Sequence, residues 1–294
     1  MSNTIGAGID WGSSNARAWS FDDTGTILNS SRLDIGLKAA QAQGFAESVD
    51  RLIDPLGLPQ DAAILACGMI GAKGGLFEAP YADCPVNTDH LLSRPVATGV
   101  RRLFILPGAS LKSPMPDVMR GEETQICGAV ALGHDGLFCM PGTHSKWARI
   151  DHGTLMGFHT YVTGELFAIT REHAIFGQLT EDSDLNLSAF VSGVHAVEDV
   201  PLLNGLFQTR SRVLTDMITP SESTWFLSGY LIGQEILAAN PDRLPVTLIA
   251  DGQLAQLYET ALQLVGCPAN TVSAETCTTT ALFRGLQHLR ENAV

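Results

Sequence analysis

Two segments of the chain, about 130 residues apart, follow the same order of strands and turns. Residues 6–28 and 137–155 each predict an apolar strand, a turn rich in Gly, Ser or Thr, a Trp-bearing strand and a second turn into a third strand. That second turn, at 23–25 and at 151–153, ends in a glycine, which accepts the positive φ of a hairpin turn. The period is too long for a solenoid. It therefore predicts two related halves.

The remainder of the chain alternates strands with helices, which is typical of an α/β fold. Strands are predicted at 62–67, 103–106 and 245–250, and helices at 45–53, 122–132, 163–176, 225–239, 254–265 and 276–290. Residues 68–120 are rich in glycine and proline, and we expect long loops there. We predict two lobes, residues 1–133 and 134–294.

The net charge of −13 argues against partners that are bound through basic surfaces, namely nucleic acid and anionic membranes. The N-terminus lacks the basic and apolar regions of a signal peptide, and no apolar run has membrane-spanning length. The six cysteines are scattered, without a Cys-x-x-Cys pair, and predict buried thiols in a reducing compartment. We expect a cytoplasmic protein. The sequence leaves its oligomeric state open, and a homo-oligomer is compatible with it.

The first turn of each repeat is the strongest candidate for phosphate binding. Asp10 follows an apolar strand, where a carboxylate can hold a Mg²⁺-bound water. Backbone N–H groups and hydroxyls of such turns can contact phosphate oxygens. The first turn consists of Gly12, Ser13, Ser14 and Asn15, and the second of Gly142, Thr143, His144, Ser145 and Lys146. A single turn of this kind also fits a plain hairpin with a capping aspartate. Two of them, from duplicated halves, favour a clamp on one polyphosphate.

Three glutamates are candidates for a general base that removes a proton from an attacking hydroxyl. Glu122 and Glu123 open a predicted helix, where acidic residues also complement the helix dipole. Glu165 follows Thr163, and it is either part of a helix cap or a substrate contact. The strand–glycine–helix turn at Gly252 could receive the adenosine of a nucleotide.

Several other site types are excluded or disfavoured by the motifs that are missing. The chain has no Gly-x-x-x-x-Gly-Lys-Ser/Thr sequence, so it is not a P-loop kinase. The glycines at the start lack the third glycine of a dinucleotide fingerprint. The eight histidines show no metal-ligand spacing.

Motifs along the whole chain resemble the 2-dehydro-3-deoxygalactonokinase family. They stand at residues 10–19, 68–71, 78–81, 118–125, 141–147, 163–166 and 227–229, in that order. The resemblance implies a duplicated ribonuclease-H-like fold of the actin/hexokinase type, with two lobes and a central nucleotide cleft. It also implies transfer of a phosphoryl group from ATP to O6 of 2-dehydro-3-deoxy-galactonate. In the wider superfamily the base is an Asp after Gly, about 20 residues before the second phosphate turn, and Gly121-Glu122 has that spacing here.

From these observations we assign expected roles. Asp10 holds Mg²⁺ through water, Glu122 is the base, and Lys146 or Arg17 offsets developing charge. Arg120 and Lys73 are candidates for the substrate carboxylate. Arg17 and Glu165 are candidates for further substrate contacts. Asp251 departs from the Gly- and Ser-rich adenosine loop of such kinases, which leaves the nucleotide preference open.

The alternatives are a kinase for another sugar acid or sugar, and an ATP-binding regulator or ATPase of the same fold. A catalytically dead interaction module is disfavoured by the intact acidic residues and turns. The sequence does not decide between the galactonate and gluconate epimers of the substrate, which differ at one stereocentre.

Overall fold

The computed structural model describes residues 4–291. Its strands are β1 (Gly6–Trp11), β2 (Ala16–Phe21), β3 (Ile27–Leu33), β4 (Ala63–Gly68), β5 (Tyr81–Asp83), β6 (Val86–Asn87), β7 (Val96–Ala97), β8 (Leu103–Ile105), β9 (Gly108–Leu111), β10 (Asp117–Met119), β11 (Gly136–Met140), β12 (Ser145–Asp151), β13 (Thr154–Tyr161), β14 (Val246–Ile249) and β15 (Ala269–Val272). Its helices are α1 (Leu37–Gln43), α2 (Phe45–Ile53), α3 (Thr88–Leu92), α4 (Glu122–Ala131), α5 (Thr163–His173), α6 (Leu187–His195), α7 (Leu202–Leu214), α8 (Pro220–Ala239), α9 (Gly252–Leu264) and α10 (Ala274–Glu291).

The first large sheet has the order β3-β2-β1-β4-β8-β7. Strands β1, β2 and β3 pair antiparallel, whereas β4 runs parallel to β1 and β8 runs parallel to β4. The turn between β2 and β3 is closed by Asp22, whose Oδ1 accepts hydrogen bonds from the backbone N–H groups of Thr24 and Thr26, both at 2.9 Å. The two parallel strands β1 and β4 end side by side, which brings the residues that follow them together.

The second large sheet has the order β15-β14-β11-β12-β13-β6. Apart from β6, this order read backwards repeats that of β3, β2, β1, β4 and β8, and β14 runs parallel to both β11 and β15. The turn between β12 and β13 places His152 and Gly153 at φ 48° and 72°, the positive values of a two-residue hairpin turn. The duplicated α/β architecture that the internal repeat predicts is therefore confirmed.

The described chain forms two compact units. Unit 1 contains residues 4–135, 149–158 and 273–291, and unit 2 contains residues 136–148 and 159–272. Both units are discontinuous in sequence, because residues 149–158 and the last helix group with the first residues of the chain. The contiguous division into lobes at residue 133 stays a prediction.

Each unit has its own apolar core. In unit 1, α10 packs against β1 and β4 and buries Leu282 and Leu286 beside Trp19 and Leu65. In unit 2, helices α6, α8 and α9 cover β14 with a core that includes Phe190, Ile236 and Leu262. Packing in these cores fixes the strands, and the candidate site residues lie at the ends of those strands.

Most predicted elements appear close to their expected bounds. Helix α2 matches its prediction at both ends, and α8 begins five residues earlier than predicted because Thr219 and Glu222 form a capping box. Residues 68–120 are less loop-like than expected, since they contain β5–β10, and strands β5, β9 and β10 form a separate sheet. Helices α1, α3, α6 and α7 were not predicted. Within residues 4–291, every helix is too short or too polar to cross a bilayer.

Candidate active site

Asp10 lies at the end of β1, in register with Arg17 of β2 and Cys67 of β4. Its Oδ2 accepts a hydrogen bond from an Arg17 NH2 group at 2.9 Å, and the Cys67 thiol lies 3.8 Å from Oδ1. The Asp10 side chain is 18% exposed. Burial raises the pKa of Cys67 well above its usual value, and the nearby carboxylates of Asp10 and Glu123 raise it further. Cys67 is therefore a neutral thiol beside Asp10.

Arg17 forms ion pairs with two acidic residues. Besides Asp10, its guanidinium contacts Glu275 at 3.3 Å and lies over the Trp19 ring, 5.5 Å from its centre. Arg17 is thus a fixed positive charge next to the Asp10 carboxylate. Whether it also contacts a substrate stays a prediction.

The predicted first phosphate turn connects β1 to β2. The Gly12 N–H donates to the Asn15 carbonyl at 2.8 Å, and the side chains of Ser13 and Ser14 are exposed. Gly36 packs so closely under this turn that a Cβ at its position would overlap the Ser13 carbonyl. The turn therefore presents two hydroxyl groups to solvent from a backbone that is fixed on its other side.

The start of α4 lies at the end of β4. Gly121, which precedes the helix, approaches Gly68, the last residue of β4 and the register partner of Trp11. Gly68 has φ 82°, and a Cβ there would lie 2.4 Å from the Trp11 carbonyl oxygen, so this position requires glycine. The α4 glutamates and Asp10 are thereby placed at the ends of two neighbouring strands within unit 1.

The two glutamates that open α4 occupy different environments. Glu123 is 2% exposed, and its carboxylate accepts from the Gly121 N–H at 2.7 Å and from the Thr124 hydroxyl at 3.1 Å. Burial, together with the charge of Glu122, raises the pKa of Glu123 from 4.5 to about 8. Glu122 is only half-buried. An accessible carboxylate is thus set beside a buried one that holds its proton near neutral pH.

The Arg120 side chain has unused donor groups. One NH2 group donates to the Ala79 carbonyl at 2.7 Å, and the guanidinium carbon lies 4.3 Å from the centre of the Tyr81 ring. Its Nε and the other terminal nitrogen are buried and have no hydrogen-bond partner among the described residues. Lys73 is exposed in the loop between β4 and β5. Both predicted carboxylate contacts therefore belong to unit 1, and the Arg120 side chain is held by its neighbours.

In unit 2, the predicted second phosphate turn packs against the start of α5. The Glu165 N–H donates to the Thr143 carbonyl at 3.0 Å, and a Cβ on Gly164 would lie 2.6 Å from the Gly142 carbonyl oxygen. The exposed His144 Nε2 lies 2.7 Å from Glu165 Oε2. Two residues predicted for different ligands, His144 and Glu165, are therefore in contact.

The last two residues of the predicted turn face inward. Ser145 is fully buried, with its hydroxyl 3.0 Å from the Tyr258 hydroxyl. Lys146 is 5% exposed, and its Nζ donates to the His144 carbonyl at 2.9 Å. The exposed part of the turn is thus Thr143 and His144, with Gly142 half-exposed.

A cavity of about 440 Å³ in unit 2 adjoins this turn. Its lining includes Gly142, Gly164, Trp225, Gln253 and Tyr258. Gly252, with φ 62°, begins α9 directly before Gln253. The two sequence predictions for nucleotide contacts in unit 2, the second turn and the Gly252 turn, therefore lie at the same cavity.

Sequence reasoning missed Glu235, a buried acid in this part of unit 2. Its Oε1 accepts from Trp147 Nε1 and its Oε2 from the Tyr258 hydroxyl, both at 2.8 Å. Burial raises the pKa of Glu235, while hydrogen bonds from Thr163, Trp147 and Tyr258 oppose the shift. The sequence feature that could have identified it is a single acidic residue in the otherwise mostly apolar second half of α8.

Comparison with known proteins decides the family. A family model described as 2-keto-3-deoxy-galactonokinase matches residues 10–285. The chain belongs to this family. Kinases of this kind use ATP, which agrees with the predicted cofactor.

Two relatives and one solved structure are similar to this family member over nearly their whole length. The Rhizobium meliloti (strain 1021) protein named "Probable 2-dehydro-3-deoxygalactonokinase DgoK1" is 37% identical over 92% of both chains. The 2-dehydro-3-deoxygalactonokinase of Escherichia coli (strain K12) is 30% identical over 91% of this chain and 92% of its own. A crystal structure from Sinorhizobium meliloti with the same assignment is 34% identical, with a TM-score of 0.91 over 97% of this chain and 99% of that one.

More distant structures show the fold alone. A ligand-bound xylulose kinase from Lactobacillus acidophilus has a TM-score of 0.54 at 11% identity, covering 98% of this chain and 90% of that one. The predicted actin/hexokinase-type fold of this galactonokinase-family chain is confirmed.

Proposed function

We propose that the protein phosphorylates 2-dehydro-3-deoxy-D-galactonate at O6 with ATP, giving 2-dehydro-3-deoxy-6-phospho-D-galactonate, as a step of galactonate breakdown in the cytoplasm. The observation that carries the proposal is the acidic site of unit 1, Asp10 and Glu122 at neighbouring strand ends, in a chain of this family. The six free cysteines suit a reducing compartment.

Glu122 is proposed as the base that takes the proton from the attacking 6-hydroxyl. Its half-buried position leaves the carboxylate within reach of a ligand, whereas both oxygens of Glu123 accept hydrogen bonds inside unit 1. A base must also be ionised at the working pH, and the raised pKa of Glu123 opposes that. These two differences favour Glu122 over its neighbour.

Asp10 is the residue that would hold Mg²⁺. A partly exposed carboxylate fits this ion, which prefers hard oxygen ligands and usually retains several waters. Arg17 occupies one carboxylate oxygen and keeps the group oriented. With ATP bound, the ion supplies charge neutralisation at the phosphates.

The two turns are proposed to bind phosphate oxygens of ATP. Gly12, Ser13, Ser14 and Asn15 offer hydroxyls and backbone N–H groups. In unit 2, Gly142, Thr143 and His144 form the exposed part of the turn, and Ser145 and Lys146 anchor it from within. The adjoining cavity is proposed for the nucleoside, with Trp225 at its wall and Gly252 directly before Gln253, which also lines it.

Arg120 is proposed to bind the carboxylate of the sugar acid. Its two unpaired nitrogens supply the donors that a carboxylate needs, and the Ala79 and Tyr81 contacts fix the guanidinium. Lys73 and Glu165 are also proposed as substrate contacts.

The test is a coupled assay of ADP release with Mg-ATP and a panel of acceptors. The panel contains 2-dehydro-3-deoxy-galactonate, its gluconate epimer, galactonate, galactose and a tube without sugar. Release that is strong only with the first compound, with phosphorus–carbon coupling to C6 in the product NMR spectrum, establishes the proposed reaction. Equal release in every tube would instead identify an ATPase, and release with another acid would change the substrate.

A further inference from the structure

Glu235 lies in the interior of unit 2, on α8, and is 3% exposed. A buried carboxylate is costly unless hydrogen bonds satisfy it. Glu235 receives such bonds from three other elements: Trp147 of β12, Tyr258 of α9 and Thr163 at the start of α5. One carboxylate therefore ties together four elements of unit 2.

These donors lie on both sides of the 142–144 turn. On one side, Trp147 follows the turn along β12, and the buried Ser145 hydroxyl contacts the hydroxyl of Tyr258. On the other side, Thr163 precedes Gly164, which packs directly against the Gly142 carbonyl. The carboxylate thus sits behind the turn and is bonded to the residues that flank it.

The same residues form part of the wall of the unit 2 cavity. Gly142, Thr163, Gly164 and Tyr258 all line it, whereas Glu235 does not. Glu235 therefore has no surface in the cavity and can affect a ligand there only through these neighbours.

The hydrogen-bond network constrains which substitutes can work. The Trp147 indole only donates, so the atom it faces must accept. A Gln side chain meets this need with its amide oxygen, and its NH₂ group can donate to Tyr258, whose own proton then turns toward Ser145. A Leu side chain of similar volume meets neither need and leaves buried polar groups unpaired.

We propose that Glu235 is a positioning residue for the nucleotide, one that holds the 142–144 turn in its phosphate-binding shape through Trp147, Tyr258 and Thr163. This inference rests on the proposed function in one respect, the binding of ATP phosphates by that turn. The hydrogen bonds, and not the negative charge, are what the role requires.

The experiment measures the affinity of a non-hydrolysable ATP analogue with Mg²⁺ by calorimetry, without any sugar acid. Glu235→Leu is expected to weaken binding roughly 10- to 100-fold, the range typical of residues that orient ligand-binding groups. Glu235→Gln is expected to remain within about threefold of the wild type because it can rebuild the bonds. In turnover assays the KM for the sugar acid should stay unchanged in both variants.

Gln234→Leu is the matched control. Gln234 is the preceding residue of α8, and its amide donates to the Val197 and Val200 carbonyls and to Tyr230, away from the turn. This variant also removes partly buried hydrogen bonds, so it should lower the thermal unfolding temperature while leaving nucleotide affinity near that of the wild type.

The nucleotide affinities of these variants decide whether Glu235 has this role. Wild-type affinity in Glu235→Leu, or equal weakening in both Leu variants, overturns the inference, and so does a Gln variant as weak as Leu. If Glu235→Leu shows no cooperative unfolding transition, Tyr258→Phe decides, because it removes only the hydroxyl between Ser145 and Glu235. Weaker binding by a folded Tyr258→Phe supports the role, and unchanged binding overturns it.

The proposed reaction can be contradicted without contradicting the role of Glu235. A wild type that binds the analogue but transfers no phosphoryl group to the sugar acid overturns the reaction and leaves the role of Glu235 standing. A wild type that binds no nucleotide overturns both.

Discussion

Glu122 and Glu123 are adjacent in sequence, yet the helix turns one toward solvent and the other into unit 1. Consecutive helical residues point about 100° apart, so neighbouring acids meet different surroundings. The sequence identified this acidic pair and its spacing from the second turn. The family spacing favours Glu122, but the sequence does not show which of the two is buried, because burial depends on β4 and on residues distant in the chain.

The first prediction concerns the stability of Glu123→Gln as a function of pH. Because the folded-state pKa of Glu123 is raised from 4.5 to about 8, the folded protein keeps a proton that the unfolded chain releases. Its contribution to stability is therefore full below pH 4.5 and falls as the pH rises toward about 8, by at most about 1.4 kcal/mol per pH unit. The Gln variant lacks this fall.

Urea unfolding of both proteins at several pH values from 5 to 9 measures the difference. The free energy of unfolding of the wild type should decline relative to that of Glu123→Gln as the pH rises. A constant difference across this range would show that Glu123 is ionised in the folded state.

The second prediction is that Glu122→Gln loses turnover and retains nucleotide binding. An amide cannot accept the hydroxyl proton, and general-base catalysis typically contributes about 10²- to 10⁴-fold to the rate. The kcat should fall by that order, with the affinity for the ATP analogue unchanged in calorimetry. Glu123→Gln and Glu165→Gln are the comparisons. If one of them is inactive while Glu122→Gln turns over normally, that other residue is the base.

The third prediction is that Asp10→Ala lowers kcat by about 10²-fold or more, because the ligand for Mg²⁺ is lost. Loss of the carboxylate also leaves Arg17 without its 2.9 Å partner, so added Mg²⁺ should not restore the rate. Circular dichroism and thermal unfolding check that the fold persists. Near-normal kcat in a folded variant would remove Asp10 from the site.

At the scale of elements, the second turn depends on its contact with α5. Gly164→Ala places a methyl group 2.6 Å from the Gly142 carbonyl oxygen and 2.8 Å from the Thr143 Cα, so the turn must shift. We predict that the KM for ATP rises about tenfold or more, since the turn no longer fits the phosphates. Gly157→Ala is the control: the nearest neighbour of the added methyl group would be 3.6 Å away, so the KM for ATP should stay unchanged. Equal KM values in the two variants would contradict the prediction.

Elements with strong patterns were predictable and others were not. The apolar runs of β4 and β14 are fully buried, which makes their sequence signal plain. Helix α7 escaped prediction because several of its large apolar residues, among them Leu203 at 83% exposure and Phe207 at 54%, face solvent. Its apolar residues therefore do not mark a buried face, which is the basis of such predictions.

At the scale of the molecule, the internal repeat was sufficient to predict the architecture. Two copies of one strand–turn–strand pattern correspond to two sheets that share the same order over five strands. The grouping of α10 with the first strands was not predictable. It arises from packing between residues more than 200 positions apart, for which the local sequence carries no signal.

The last prediction tests this packing. Leu282 is fully buried and contacts the β1 position of Gly8. Leu282→Ala should lower the free energy of unfolding by about 2–5 kcal/mol, as for other large-to-small changes in a core. Urea unfolding measures the loss. Leu203→Ala, at an exposed position of α7, should change the free energy by less than about 0.5 kcal/mol. A similar small effect of Leu282→Ala would mean that α10 contributes little to unit 1.

The discontinuity of unit 1 has a consequence for synthesis on the ribosome. All of unit 2 lies within residues 136–272, together with the short segment 149–158 of unit 1, so the whole of unit 2 has been synthesised before α10 is translated. Unit 1 must wait for residues 273–291, although its first strands emerge earliest. Until then the surface of β1 and β4 that α10 covers stays open to water and to other nascent chains, and such exposed apolar surface attracts chaperones. The half of the enzyme that carries Asp10 and Glu122 is therefore the last to become complete.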